Sequence, residues 1–127
     1  MSRGILDTSI LIATDVTPIP GELAISVTSL AELQFGVLAA KTADARAGRL
    51  ARLSAIQRRF DPLPIDEAVA DSYARLAARV VEIGRQPRAR MMDLLIAATA
   101  HAHDAAVYTR NADDFAGLED LVLIRTI

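Results

Sequence analysis

The sequence contains no cysteine and no tryptophan, and aromatic residues make up only 4% of its 127 residues. The lack of cysteine excludes disulfide bonds, thiolate chemistry and cysteine-based zinc sites. Few aromatics and many alanines predict an aliphatic, largely helical core. No apolar run is long enough to span a membrane, and Asp7 interrupts the N-terminus too early for a signal peptide. We therefore expect a single domain over residues 1–127, in the cytoplasm and without a membrane partner.

Lysine is nearly absent as well, because Lys41 is the one lysine among 14 basic residues. With 16 acidic residues the formal net charge is −2, which by itself argues against a nucleic-acid partner. The balance changes if four carboxylates bind a cation, since the basic residues then outnumber the remaining acids. Arginine also suits bidentate contacts with phosphate. The net charge therefore leaves a nucleic-acid partner open.

Short apolar runs alternate with amphipathic stretches along the chain. The predicted strands are 3–6, 23–27, 105–109 and 121–124, with a short edge strand at 61–65. The predicted helices are a first turn after Asp7, a helix from about Thr28, the stretches 43–60 and 66–83, and a buried helix that Asp93 opens. This alternation predicts an α/β fold with a mainly parallel sheet.

Acidic side chains follow the predicted strands. Asp7 and the pair Asp113 and Asp114 come directly after strands, Glu32 lies one helical turn past another, and Asp93 begins the buried helix. Each acid also has a purely structural explanation as a helix cap, for example the S-x-x-E capping box that ends at Glu32. Because ligands bind parallel sheets outside the carboxyl ends of the strands, we expect at least four carboxylates to meet at one sheet edge.

Carboxylates crowded in this way cannot all ionise unless something neutralises their charge. Oxygen ligands without cysteine favour a hard divalent cation, Mg²⁺ or Mn²⁺. Such an ion activates water, binds a scissile phosphate and stabilises the leaving oxygen. The acidic cluster therefore predicts metal-assisted hydrolysis of phosphodiester bonds.

Four motifs carry a resemblance to a known family: ILDTS at 5–9, SLAEL at 29–33, DLLIAATA at 93–100 and TRNADDF at 109–115. In this order and spacing the chain resembles, over essentially its whole length, the PIN-domain ribonucleases, specifically the VapC-type toxins of type II toxin–antitoxin pairs. The resemblance implies a PIN-like three-layer α/β/α fold with a central, mainly parallel sheet. It also implies a Mg²⁺-dependent endoribonuclease, with Mn²⁺ as a substitute, that forms a homodimer and is neutralised by a cognate VapB-like antitoxin.

The resemblance also assigns roles to individual residues. The catalytic acids would be Asp7, Glu32, Asp93 and Asp114, and all of them except Glu32 would hold the metal. The supporting positions would be Thr8, Ser9, Thr109, Asn111 and Asp113. The doubled acid at 113–114, and an asparagine at 111 where some relatives carry aspartate, depart from the family pattern. Which of these three residues ligates the metal directly is therefore open, and we favour Asp114.

A basic loop precedes Asp93, and its arginines would lie where an RNA backbone approaches the acids. The predicted RNA contacts are Arg85, Arg88, Arg90 and, after the third long strand, Arg110. A structural explanation is equally available for the loop, since exposed charges also keep a loop solvated.

Three other functions compete with the nuclease. A phosphatase with an aspartate nucleophile usually needs a second aspartate two residues on, where this chain has Ser9. A phosphate-accepting receiver domain needs a lysine near its pocket, and Lys41 lies in a helical hairpin far from any predicted strand end. The third is a binding module whose acids only cap helices or bind metal, without ribonuclease activity.

Overall fold

The computed structural model describes residues 2–127. Its elements along the chain are β1 (Arg3–Leu6), α1 (Thr8–Leu11), β2 (Glu22–Ala24), α2 (Val27–Leu38), α3 (Ala43–Arg59), α4 (Glu67–Glu82), α5 (Met91–Ala102), β3 (Ala106–Thr109) and β4 (Ile124–Thr126). Two 3-10 turns complete the list: the arginine turn (Pro87–Arg90) before α5, and the acidic turn (Ala112–Phe115) after β3. Across the described chain, no helix has the length and apolar character needed to cross a membrane.

The four strands form one sheet in the order β2-β1-β3-β4, and every neighbouring pair is parallel. Leu6 of β1 lies opposite Tyr108 of β3. The pairing continues past the strand, because the backbone N–H of Asp7 donates to the carbonyl of Tyr108 at 3.1 Å. The carboxyl ends of β1 and β3 therefore lie side by side, and the residues that follow them share one edge of the sheet.

Side chains alternate across the sheet and contribute to two separate cores. Ile5 and Val107 pack in the first core with Leu76 of α4 and Leu94 of α5. Leu6, Ala106 and Tyr108 pack in the second core with residues of α1, α2 and α3, among them Ile10, Leu33 and Leu53. Helices therefore cover both faces of a parallel sheet, which confirms the expected three-layer α/β/α fold.

The last strand lies further along the chain than predicted. β4 spans Ile124–Thr126, whereas the apolar run indicated 121–124. Val122 is buried in the first core although it lies in a turn, and the carbonyl of Leu123 accepts from the N–H of Val107 at 2.8 Å. The apolar run at 121–124 is therefore a buried turn that leads into β4, and not β4 itself.

β2 is shorter than predicted because the next helix begins earlier. Ser26 is the N-cap of α2, and its Oγ accepts from the N–H of Thr28 at 3.0 Å. Ser26 also forms a single parallel bridge with Leu63, which is all that exists of the predicted edge strand at 61–65. By contrast, Asp66 caps α4 as expected, since its Oδ1 accepts from the N–H of Val69 at 3.0 Å.

Candidate metal centre

Asp7 is the residue between β1 and α1, and it is buried. Its Oδ1 accepts from the N–H of Ile10 at 3.2 Å, so Asp7 is the N-cap of α1. The same oxygen accepts from the hydroxyl of Ser9 at 2.6 Å. These two donors satisfy one oxygen of the buried carboxylate and hold it in a fixed direction.

Glu32 lies inside α2 and does not belong to a capping box. The predicted box needed Ser29 as the N-cap, but the helix begins three residues earlier, with Ser26 as its cap. The Oε1 of Glu32 instead accepts from the hydroxyl of Thr8 at 2.6 Å. This bond joins α2 to α1 and holds Glu32 beside the residues that follow β1, so the capping explanation for this acid is excluded.

Asp93 is not a helix cap either. α5 begins at Met91, which makes Asp93 its third residue, and Arg90 occupies the N-cap position without a side-chain cap bond. The pKa of Asp93 is raised from 3.8 to about 6, first by burial of the carboxyl and then by the negative charges of Asp114, Glu32 and Asp7. The nearby charge of Arg90 acts in the opposite direction and lowers this pKa.

Hydroxyl groups connect the ends of β1 and β3. Thr109, the last residue of β3, is fully buried, and its Oγ1 accepts from the N–H of Asn111 at 2.9 Å. Its Oγ1 lies 3.4 Å from the Oγ of Ser9, which in turn accepts from the N–H of Arg110 at 2.9 Å. Ser9 therefore holds both the carboxylate of Asp7 and the start of the loop that leads to the acidic turn.

The two neighbouring acids of the acidic turn differ in their surroundings. Asp114 is the acid whose charge raises the pKa of Asp93 the most. Asp113 contributes its backbone carbonyl, which accepts from the guanidinium of Arg90 at 2.6 Å. Asn111 precedes the turn and is exposed, and its carbonyl accepts from the N–H of Asp114 at 3.0 Å. The structure therefore places Asp114 with the other acids.

The four arginines predicted to contact RNA fall into two pairs. Arg90 donates to two backbone carbonyls after β3, and Arg110 forms an ion pair with Asp15 at 2.7 Å. Arg85 and Arg88 are exposed, and no hydrogen bond or ion pair of their side chains occurs within residues 2–127. The second pair keeps its guanidinium groups available, whereas the first is occupied by the protein itself.

Sequence reasoning missed one hydroxyl of this site. Ser29 is fully buried in the first turn of α2, and its Oγ lies 3.2 Å from the hydroxyl of Thr8. Since Thr8 has one proton, which it donates to Glu32, Ser29 is positioned to donate in return. The i, i+3 spacing of Ser29 and Glu32 on one helix face was the available indication, but the capping pattern explained it otherwise.

The chemistry of the donors fits a hard cation. Asp7, Glu32, Asp93 and Asp114 provide only carboxylate oxygens, which suit Mg²⁺ or Mn²⁺. Within the described residues, no three acidic or histidine side chains lie close enough together to hold one ion as they stand, so a cation would be bound by fewer carboxylates or by carboxylates that shift toward it. Mg²⁺ needs no closed cage, because it retains several waters and takes one or two carboxylates together with substrate phosphate.

Comparison with known proteins places the chain in a family. Residues 5–121 match the PIN domain. Ribonuclease VapC5 of Mycobacterium tuberculosis (strain ATCC 25618 / H37Rv) is 43% identical over 132 residues, which cover 99% of this chain and 95% of that protein. Ribonuclease VapC4 of the same strain is 37% identical over 128 residues, covering 96% and 95% of the two chains.

Solved structures agree with the sequence matches. The crystal structure of VapBC-5 from Mycobacterium tuberculosis, a member of the VapBC family of toxin–antitoxin systems, superposes with a TM-score of 0.85 at 42% identity, covering 100% of this chain and 98% of that one. VapBC2 from Rickettsia felis, with a TM-score of 0.80 at 24% identity and 98% coverage of both chains, shows the same fold. These matches confirm the resemblance inferred from four short motifs: the chain belongs to the PIN-domain family, in its VapC-type branch.

Proposed function

We propose that this protein is a Mg²⁺-dependent endoribonuclease toxin that a cognate antitoxin neutralises. The observation that carries the proposal is the position of Asp93, a half-buried carboxyl in the first turn of α5. Burial raises its pKa first, and it also lies near enough to Asp114, Glu32 and Asp7 for their charges to raise it further. Helix capping does not explain Asp93 and Glu32, because neither residue caps a helix. The names of the relatives VapC5 and VapC4, both ribonucleases, support hydrolysis of RNA as the reaction.

Asp7, Asp93 and Asp114 would hold the cation. A bound Mg²⁺ supplies an activated water and neutralises charge on the phosphate. The chain itself orients the ligands: Ser9 directs Asp7, and Asp93 is fixed by its place in the first turn of α5. The N-terminal end of α5 also favours negative charge, so it supports both the carboxylate of Asp93 and a phosphate beside it.

Glu32 has a different role from the three ligands. Its Oε1 accepts from Thr8, which leaves Oε2 to accept a proton from the attacking water. The bond from Thr8 fixes the orientation of the Glu32 carboxylate. We therefore assign Glu32 as the general base and Thr8 as the residue that orients it.

Adjacent acids allow a sharp test of the site. The variant Asp114→Asn should lose cleavage of RNA by about two orders of magnitude or more, as expected for a group acting at the reaction centre. The matched control Asp113→Asn changes the neighbouring residue by the same chemistry and should retain most of the activity. Cleavage of total RNA by the unchanged protein should require Mg²⁺ or Mn²⁺ and stop with EDTA.

Three outcomes would contradict the proposal. Equal losses in both variants would show that charge in the acidic turn matters without a specific role for Asp114. Hydrolysis of a phosphate monoester without cleavage of RNA would favour the phosphatase-like alternative, although Ser9 donates to Asp7 where a phosphatase would need an acid. Binding of Mn²⁺ without any hydrolysis would favour the non-catalytic acidic-pocket module.

The antitoxin partner rests on the similarity to VapBC-5 and on a surface beside the acids. A groove of about 470 Å³ runs from Thr8 and Glu32 to the apolar side chains of Ile12 and Phe35, the latter 70% exposed. Arg49 also lines this groove. An antitoxin segment with apolar residues along the groove, a basic residue toward Glu32 and an acidic one toward Arg49 would match its charges.

We also propose that the protein forms a homodimer and acts in the cytoplasm on RNA. The homodimer and the compartment are what the resemblance to VapC-type toxins implies, and no feature of the described residues carries them. Light scattering coupled to size-exclusion chromatography, with and without a co-expressed antitoxin, would measure the oligomeric state directly. A monomer at micromolar concentration would contradict the first proposal.

A further inference from the structure

Arg90 joins two segments of the metal centre that are distant in sequence. Its NH1 donates to the carbonyl of Ala116 at 3.1 Å, and its NH2 donates to the carbonyl of Asp113 at 2.6 Å. A guanidinium can make two such bonds at once because its N–H groups form a rigid planar fork. Arg90 itself directly precedes α5, so the start of this helix is bonded to the acidic turn.

The two accepting carbonyls lie on either side of Asp114. Within the acidic turn, the other backbone bonds are local, from Asp114 to Asn111 and from Ala116 to Asp113. The turn has no strand partner, and Asp114 is exposed. The hydroxyls of Ser9 and Thr109 bond the loop before the turn, and the ring of Phe115 is buried beneath it. Among the described residues, Arg90 is the side chain that hydrogen-bonds the carbonyls on either side of Asp114.

The carboxylates on the two segments repel each other. Asp93 lies on the first turn of α5, and Asp114 is the acid that acts on it most strongly. A mobile acidic turn would relax by moving Asp114 away from Asp93, which would separate two ligands of one cation. The positive charge of Arg90 lies next to both segments and offsets part of this repulsion.

We propose that Arg90 is a positioning residue that holds Asp114 beside Asp93 and thereby sets the affinity for the divalent cation. The inference rests on the proposed metal-dependent function and adds a residue outside the set of acids. It also replaces the role predicted for Arg90 from the sequence, because a guanidinium bonded to two carbonyls of its own chain is not free to follow an RNA backbone.

The test compares Arg90→Ala, Arg90→Lys and the control Arg88→Ala. Arg88 lies in the same arginine turn, is exposed, and has no side-chain bond within the described chain. Mn²⁺ affinity, measured by isothermal titration calorimetry without RNA, should fall about 10-fold or more in Arg90→Ala, as for other groups that orient metal ligands. Arg90→Lys keeps the positive charge but not the planar guanidinium, so its Mn²⁺ affinity should lie between those of the unchanged protein and Arg90→Ala. Arg88→Ala should bind Mn²⁺ as the unchanged protein does.

Hydrogen exchange provides a second readout that does not depend on the metal. The N–H of Ala116, bonded to the carbonyl of Asp113, should exchange faster in Arg90→Ala, while amides in α4 remain unchanged. Circular dichroism and Arg90→Lys guard against a variant that does not fold. Unchanged Mn²⁺ affinity in folded Arg90→Ala would overturn the inference, as would a loss confined to RNA binding. An unchanged protein that binds no Mn²⁺ would instead overturn the proposed function.

Discussion

Replacing Asp93 should stabilise the protein while it abolishes activity. The folded pKa of Asp93, about 6, lies above its ordinary value of 3.8. Between these two pH values the folded state holds a proton that the unfolded state has lost, so the unfolding free energy decreases as pH rises. The variant Asp93→Asn has no proton to lose and escapes this decrease. Its advantage over the unchanged protein should therefore grow from pH 4 to pH 6 and then stay constant.

The size of the effect follows from the same values. A difference of about two pH units corresponds to at most about 3 kcal/mol, at roughly 1.4 kcal/mol per unit. Asp93 is only half-buried, so solvent screening reduces this to about 1–2 kcal/mol. The lost interaction of the carboxylate with the N-terminal end of α5 costs about 0.3–1 kcal/mol in the opposite direction. The destabilisation by burial and repulsion is larger than this loss. We therefore expect the unfolding free energy of Asp93→Asn to exceed that of the unchanged protein by about 1 kcal/mol at pH 8.

Urea unfolding in EDTA at pH 5 and pH 8 measures this gain. Circular dichroism is the suitable probe, because the chain has no tryptophan. The control Asp113→Asn removes a neighbouring charge that the structure does not place against Asp93, and it should change stability by less than about 0.5 kcal/mol. Saturating Mg²⁺ should reverse the order, since binding at 100 times the dissociation constant adds about 2.7 kcal/mol to the unchanged protein alone.

Two results would refute the reasoning. If Asp93→Asn is less stable than the unchanged protein at pH 8 in EDTA, Asp93 is a structural residue of α5 and not a strained carboxylate. If the gain is equal at pH 5 and pH 8, the titration of Asp93 does not cause it.

Three further substitutions test other parts of the structure. Gly4→Ala should destabilise the fold by about 1–3 kcal/mol in urea unfolding, because the added Cβ would overlap the ring of Tyr108. Full stability of this variant would contradict the close approach of that ring to Gly4. Thr8→Val should lower kcat about 10-fold, because it removes the hydroxyl that orients Glu32. Thr8→Ser keeps the hydroxyl and should restore kcat. An unchanged kcat in Thr8→Val would show that Thr8 does not orient Glu32. Phe35→Ser should change the unfolding free energy by less than about 0.5 kcal/mol, since Phe35 is exposed. The same variant should weaken binding of a co-expressed antitoxin more than about 10-fold. Unaltered binding would place the antitoxin elsewhere on the surface.

The architecture was predictable from the sequence, whereas the joint role of the four acids in binding a metal stays a prediction. Apolar runs alternating with helices require a parallel sheet, and parallel strands necessarily end at the same edge. Asp7, directly after β1, therefore had to lie near the residues after β3. The four motifs added the family, because their order and spacing are more specific than any one of them.

Details that depend on distant partners were not predictable. Local patterns named Ser29 and Asp93 as helix caps, but capping preferences differ by only about 1 kcal/mol, so packing moved both helix starts. The same patterns could not distinguish Asp113 from Asp114, because the distinction lies in which charge acts on the pKa of Asp93 across the fold.

Arg88 and Arg90 show most clearly why such details could not be predicted from the sequence. In the sequence, Arg90 and Arg88 are equivalent members of a basic loop. In the fold, Arg90 bonds to carbonyls 23 and 26 residues away, whereas Arg88 has no such partner within residues 2–127. The sequence by itself determined which residue types line the candidate metal centre, through strand order and motif spacing. Only the tertiary structure decided which of these residues hold the others in place, because a side chain meets partners that are distant in sequence only when the chain folds.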